Sequence, residues 1–299
     1  MVEKPLIPNV IAAAMSPIEI IDIGAMVEGE ERFARLVTQG LANVTGFEPN
    51  PSEYERLRAG NAPHRRYLPY FLGEGGPATF YRTRYPGCSS LYEPDPAIID
   101  LFQGIGAAPP NGNFAVIGTE RVNTVRLDDV PGLPPCDFLK LDVQGAELDV
   151  LRGGTISLAN VLVLEVEVEF VPLYKKQPLF GHIHSFLHEH HFLMHKFVDV
   201  IGRALKPMVA GHASGAISQV LWADAIFVRD YSKDDLYTDD QLLKAAAILY
   251  DTYNSYDLSY SLLRKYDQRR GTTFARTFSQ ALASVPDLPF TYMNLKANA

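Results

Sequence analysis

Residues 135–151 read PCDFLKLDVQGAELDVL. Phe138 to Leu141 is a short apolar run of the kind that forms a buried strand. Asp142 stands where that strand ends, Gly145 lets the chain turn, and Ala146 to Leu151 opens a helix. In open parallel sheets, ligands bind in the crevice beyond the carboxyl ends of the strands. A carboxylate placed there is a candidate for chemistry. Asp also serves well as a helix N-cap or turn residue, so the rest of the chain has to decide its role.

Upstream, Ile18 to Ile23 (IEIIDI) is an Ile-rich run containing Asp22 and followed by Gly24 and Ala25. Phe33, Leu36 and Val37 predict a helix over Glu30 to Gln39, stopped by Gly40. Val44 to Phe47 reads as a second buried strand ending at Glu48, and Pro49, Asn50 and Pro51 lead into a helix carrying Tyr54 and Leu57. Arg66 to Leu72 reads as a third strand, closed by Gly73, Gly75 and Gly76. This is a βαβαβ half, the mononucleotide-binding unit of doubly wound folds.

A polar and aromatic insertion follows, Ala78 to Pro96, with a strand over Thr79 to Thr83 and a turn at Pro86-Gly87. Ile98 to Gly118 is irregular, and Arg121 to Leu127 alternates as a strand. Beyond the central stretch come a strand over Val161 to Phe170, a helix over Pro178 to His190, and strands over Phe192 to Val198 and Val220 to Val228. The fold class read from this pattern is α/β, Rossmann-like, with a mostly parallel seven-stranded sheet and helices on both faces. From Tyr231 the pattern becomes helical, Asp239 to Tyr253 and Ser255 to Arg270, with Leu242, Leu243, Ala246, Leu249 and Tyr250 on one apolar face. This C-terminal pair suits three placements: on a partner subunit as a homodimer contact, over the site, or on the main domain.

Composition narrows the function. With 299 residues, 47% hydrophobic and 21% charged, the chain is an ordinary soluble globular protein. A net charge of −8 argues against non-specific binding to nucleic acid or anionic membrane. Two cysteines, Cys88 and Cys136, exclude a disulfide framework and fit a reducing, cytoplasmic setting. The start of the chain, interrupted by Pro5 and Pro8, reads as a docking arm, and no run approaches the roughly 18 apolar residues of a membrane span.

The first turn is not a G-x-G-x-x-G. That fingerprint lets backbone approach a pyrophosphate, and here Met26 and Glu28 occupy the approach, Glu28 with a repelling charge. Glu48 at the end of the second strand still suits ribose hydroxyls. A nucleoside cofactor with a ribose and no pyrophosphate satisfies both facts. S-adenosylmethionine is such a ligand, and its sulfonium cation suits a site lined by Asp22, Glu48 and Asp142. Glu165, Glu167 and Glu169 alternate with apolar residues and share one face of their strand. Glu167 or Glu169, nearest the strand end, are candidates for substrate binding or proton transfer, and Glu165 reads as structural. Six of the eight histidines fall between His182 and His195. A helix with a polar face explains them better than a metal site, and His182 is the one candidate general base among them.

Seven stretches in order resemble the FkbM-type family of S-adenosylmethionine-dependent methyltransferases: IIDIGA (20–25), GFEPNP (46–51), PGCSSLYEP (86–94), VNTVRLDD (122–129), DFLKLDVQGAELDVLRG (137–153), EVEFVPLYKKQPLF (167–180) and LWADAIFVR (221–229). The resemblance implies a class I methyltransferase fold over residues 18–230, flanked by an N-terminal arm (1–17) and a C-terminal helical extension (231–299). It implies O-methylation of a sugar or natural-product hydroxyl by in-line displacement. By position, Asp22, Gly24 and Ala25 would meet the methionine part of the cofactor, Glu48 and Pro49 its ribose side, and Leu72 and Gly73 the adenine. Asp142 would face the sulfonium or the acceptor, with Asp142, Glu167 or His182 as the base and no metal required. Two other readings stay open: a nicotinamide-dependent oxidoreductase on the same fold, and a non-catalytic binding or assembly module.

Overall fold

The structure, a computed structural model, describes residues 7–26, 31–60 and 62–283. In chain order, α1 (Asn9–Ala12) precedes β1 (Ile18–Ile23), α2 (Ala34–Thr38), β2 (Ala42–Phe47), α3 (Pro51–Ala59) and β3 (Arg65–Leu68). Next come β4 (Phe71–Leu72), β5 (Gly76–Thr83), α4 (Pro96–Ile99) and β6 (Val116–Val125). β7 (Phe138–Leu141), α5 (Glu147–Gly153), β8 (Val163–Glu169), α6 (Phe180–Glu189), β9 (Phe192–Arg203) and β10 (Gln219–Arg229) follow. α7 (Asp239–Tyr253), α8 (Tyr256–Arg270) and α9 (Phe274–Ala283) close the described chain.

Contacts divide the chain into two units, one running Pro17–Leu236 and the other joining the residues up to Ser16 with those from Tyr237 onward. The first is built on a seven-stranded sheet ordered β3-β2-β1-β7-β8-β10-β9. β1, β2, β3, β7 and β8 pair in parallel, and β10 runs antiparallel to β8 and β9. This is an α/β, Rossmann-like architecture. Strand order reverses between β1 and β7, the switch point where such sheets open a crevice.

The two sheet faces differ in a way that places the site. On one face Ile21, Ile23, Leu139, Leu141, Leu164, Val166 and Val168 pack with Leu148 and Leu151 of α5 and Ile183 and Leu187 of α6. On the other, apolar residues give way to charge toward the strand ends. Phe33 meets Phe138 edge-on at 5.9 Å, and one step further Asp22, Lys140 and Glu165 stand side by side in register.

Pro69 corrects the reading of residues 66–72 as one strand. Proline has no N–H to donate to a ladder, so β3 stops at Leu68. Phe71–Leu72 instead joins a separate three-stranded sheet ordered β4-β6-β5. The Arg121–Leu127 segment belongs to that second sheet and starts earlier, at Val116. α2 is shorter than Glu30 to Gln39, and Glu30 and Glu28 lie outside the described residues. In the second unit, Ser16 bonds through its amide and hydroxyl to Asp240 at 2.8 and 2.7 Å. A Thr238–Gln241 reciprocal cap starts α7. α9 has no counterpart in the sequence reading; the Asp267 carboxylate caps it by accepting the amides of Phe274 and Ala275 at 2.8 and 2.9 Å.

Candidate active site

A cavity of about 730 Å³ opens where β1, β2 and β7 end, within the range of about 300–1,000 Å³ that small-molecule sites occupy. Its wall includes Asp22, Gly24, Glu48, Pro49, Leu72 and Asp142. β1 and β7 meet tightly here. The amide of Asp142 donates to the carbonyl of Ile23 at 3.0 Å. Gly24 has φ +85°, and a Cβ there would lie 1.8 Å from the Asp142 carbonyl oxygen. Glycine is the residue that satisfies both the turn and the approach.

The loop after β7 is held by Gln144, which adopts φ +57°, a left-handed conformation costly for a residue with a side chain. Its Nε2 donates to Asp142 Oδ1 at 3.0 Å and to Glu167 Oε2 at 2.6 Å. Its Oε1 accepts from the Tyr174 hydroxyl at 3.1 Å, and its carbonyl from the Ser90 hydroxyl at 2.6 Å. Glu147 Oε1 closes the turn by accepting the amides of Val143 and Gly145 at 2.9 and 3.1 Å. These bonds fix Asp142, whose side chain keeps 39% exposure toward the cavity.

Charge on the cavity floor is organised by two cations. Lys140 Nζ lies 3.4 Å from Asp22 Oδ1 and 4.0 Å from Asp142 Oδ2. Burial works against the lysine charge, but Asp22 and then Asp142 overcome it and raise its pKa. Burial raises the Asp22 carboxyl, and Lys140 pulls it back only in part. Arg32 pairs with Glu165 and Asp199, and with Asp224 Oδ2 at 2.6 Å. Burial also raises Glu48, against the pull of the Asn50 amide that donates to its Oε1 at 2.7 Å. Behind Gln144, burial together with neighbouring carboxylates, Asp142 and Glu169 first among them, pushes Glu167 well up. Burial likewise raises Glu169 and brings Glu147 up to about 7.

The family model described as the Methyltransferase FkbM domain matches residues 22–194, more than half of the chain. The chain belongs to the FkbM methyltransferase family. Membership makes S-adenosylmethionine the cofactor. The chain is similar to the hexuronic acid methyltransferase AglP of Haloferax volcanii, 29% identical over 134 residues that cover 42% of this chain and 47% of that protein. It thus spans about half the length of that relative. Among solved structures it is similar in outline to the magnesium protoporphyrin IX methyltransferase ChlM of Synechocystis PCC 6803, solved with bound SAM. The TM-score is 0.36 at 10% identity, covering 74% and 76% of the two chains. It is similar at the same level to the precorrin-6y C5,15-methyltransferase of Geobacter metallireducens, with a TM-score of 0.33 at 11% identity, covering 74% and 85%.

The residues present fit an S-adenosyl cofactor. Carboxylates outnumber cations along the cavity wall, which suits a sulfonium. Met26 lines the cavity, whereas Glu28 lies outside the described residues.

The expected site residues do not all converge. Ala25 is buried with its amide on the Phe47 carbonyl, outside the cavity wall. Gly73 is packed against Gly153 and Thr124. Glu167 is covered by Gln144 and Glu169 is buried, so Glu165, read as structural, is the β8 glutamate that lines the cavity. Alternation puts the three on one face, where Gln144 of the loop after β7 holds Glu167 and Arg32 pairs with the buried Glu165. His182 is exposed at the third position of α6, where its Nδ1 accepts the Leu179 amide at 3.1 Å. The cavity takes no part of it. Lys140, Arg32 and Asp224 were missed. Lys140 carried a signal, as the one charge inside an otherwise apolar strand.

Proposed function

We propose that this chain transfers a methyl group to a hydroxyl oxygen of a sugar or natural-product acceptor. When bound, S-adenosylmethionine supplies an electrophilic methyl group, taken by the acceptor oxygen in line with the sulfur, which departs as a neutral thioether. Glu48 would hold ribose hydroxyls, Asp22 and Gly24 would lie toward the methionine part, and Leu72 toward the adenine. Asp142 would orient the acceptor hydroxyl and take its proton, a task that needs a carboxylate within hydrogen-bond reach. Rigid placement of that carboxylate supplies alignment, the larger part of catalysis in a displacement.

The observation that carries the reading is Asp142 itself. It stands at the mouth of the switch-point crevice, fixed by Gln144 on one oxygen and 4.0 Å from Lys140 on the other, with an edge left open to the cavity. The name of the H. volcanii relative supports a sugar acceptor.

The test is calorimetric titration with S-adenosylhomocysteine, with NADH as control, followed by methyl-label transfer to a panel of sugars and phenols. Binding of S-adenosylhomocysteine alone is expected. Asp142→Asn is expected to keep that binding and lose label transfer at least a hundredfold, in the range of general-base loss of about 10²–10⁴. Binding of NADH instead would restore the oxidoreductase reading. Cofactor binding with no transfer to any acceptor would favour the binding module.

A further inference from the structure

The three-stranded sheet gives the cavity a second wall with a chemistry of its own. Phe80 and Arg82 lie two residues apart on β5, so both side chains leave the same side of the strand, and both line the cavity. Phe80 packs on Phe71 with ring centres 4.9 Å apart. On β6, Glu120 stands opposite Phe80 and Gly118 opposite Arg82. A Cβ at Gly118 would lie 2.8 Å from an Arg82 guanidinium nitrogen and 3.5 Å from its central carbon. The guanidinium therefore lies along the Gly118 backbone, in space left by the missing side chain.

Charge bookkeeping singles out Arg82. Arg32 is neutralised by Glu165, Asp199 and Asp224, and Lys140 by Asp22 and Asp142. Arg82 lines the same cavity with no hydrogen-bond or ion-pair partner among the described residues. A planar, always-charged fork beside an apolar ring is the chemistry that holds a carboxylate or phosphate bidentately. We propose that this wall is the acceptor subsite and that Arg82 selects an anionic acceptor, one carrying a carboxylate or phosphate near the hydroxyl to be methylated. Phe80 supplies a face for a sugar ring, and Glu120 an acceptor for its hydroxyls. The subsite rests on the methyltransferase reading for its role in the reaction.

The full chain, saturated with S-adenosylhomocysteine, is titrated with D-glucuronate, D-glucose 6-phosphate and D-glucose, followed by saturation-transfer NMR. The anionic sugars are expected to bind in preference to glucose, and the stronger of the two identifies carboxylate or phosphate. Arg82→Gln is expected to erase that preference, roughly a tenfold loss for one charge-assisted contact. Arg82→Lys should keep part of it, with S-adenosylhomocysteine affinity unchanged in both variants. Equal responses to charged and neutral sugars in the unmodified protein, or a preference that survives Arg82→Gln, overturn the subsite. So does a fall in S-adenosylhomocysteine affinity on substitution, which would place Arg82 on the cofactor. If the unmodified protein binds no S-adenosylhomocysteine, the methyltransferase reading fails and the subsite with it. Cofactor binding without anion preference defeats the subsite alone.

Discussion

Replacing Lys140 with Met tests whether the charged floor is an ion pair held in place by burial. Met keeps the aliphatic stem and removes the ammonium 3.4 Å from Asp22, whose side chain is only 4% exposed. Breaking a buried pair by removing one partner costs about 3–5 kcal/mol. Asp22 has an escape, however, because it can take up a proton. From an unfolded-state pKa of about 3.9, neutralising it at pH 7 costs about 4 kcal/mol, and at pH 5 about 1.5 kcal/mol. The penalty cannot exceed that cost, so it shrinks as pH falls. In the variant the folded chain holds a proton on Asp22 that the unfolded chain has given up, so stability falls as pH rises above about 4. Urea denaturation at pH 5, 6 and 7 at fixed ionic strength should show Lys140→Met losing up to about 4 kcal/mol at pH 7 and at most about 1.5 kcal/mol at pH 5. Adding Asp22→Asn should remove the pH dependence of the loss. A loss of the same size at both pH values would refute the argument, since packing of the stem, rather than charge, would then be responsible.

Gly24→Ala forces a side chain into φ +85° and drives its Cβ to 1.8 Å from the Asp142 carbonyl oxygen. Left-handed strain and overpacking together predict a loss of about 2–5 kcal/mol, read by denaturation, with weaker S-adenosylhomocysteine binding in step. A loss below about 1 kcal/mol would show that β1 and β7 part easily. Burial holds Glu147 at about 7 against an ordinary value of 4.5. The native state thus binds a proton the unfolded chain lacks, and its stability should fall as pH rises from 4.5 toward 7. Glu147→Gln keeps an oxygen for the Val143 and Gly145 amides and should flatten that fall by an amount of order 3 kcal/mol. Melting temperature against pH checks it, and an unchanged slope would place the proton elsewhere.

Much of the frame was legible in sequence because buried parallel strands announce themselves. IEIIDI and FLKL occupy β1 and β7 as read, and Asp22, Glu48 and Asp142 all reach the cavity because each sits at a strand's carboxyl end. Failures came where long-range geometry decides. Lys140 was passed over inside an apolar run; its partner Asp22 is its neighbour only through β1–β7 pairing. Glu165, read as structural for its depth, is buried and paired with Arg32, and it also borders the cavity. His182 had the right residue type, but at the third position of a helix an imidazole nitrogen finds the N-terminal amides first. Pro69 was readable and was overlooked, and with it the second sheet that carries Phe80 and Arg82.

Stability alone does not account for the charged row across β1, β7 and β8. Parallel strands covered on both faces are ordinarily continuous runs of Val, Ile and Leu, and β7 and β8 keep that pattern on the face toward α5 and α6. On the opposite face they abandon it at Lys140, Glu165 and Glu167. Well-packed apolar residues in place of a buried ion pair are often neutral or stabilising, so packing alone would have favoured Leu or Val at those positions. The departure is confined to the carboxyl half of the sheet, beyond the Phe33–Phe138 contact, where the crevice opens. A sequence that breaks its own local rule marks a functional site. Here the break does two things at once. On the proposed reading it sets carboxylates against a cationic cofactor, and it uses Lys140 and Arg32 to neutralise the surplus, which would leave Asp142 an open edge and Arg82 its charge for the acceptor.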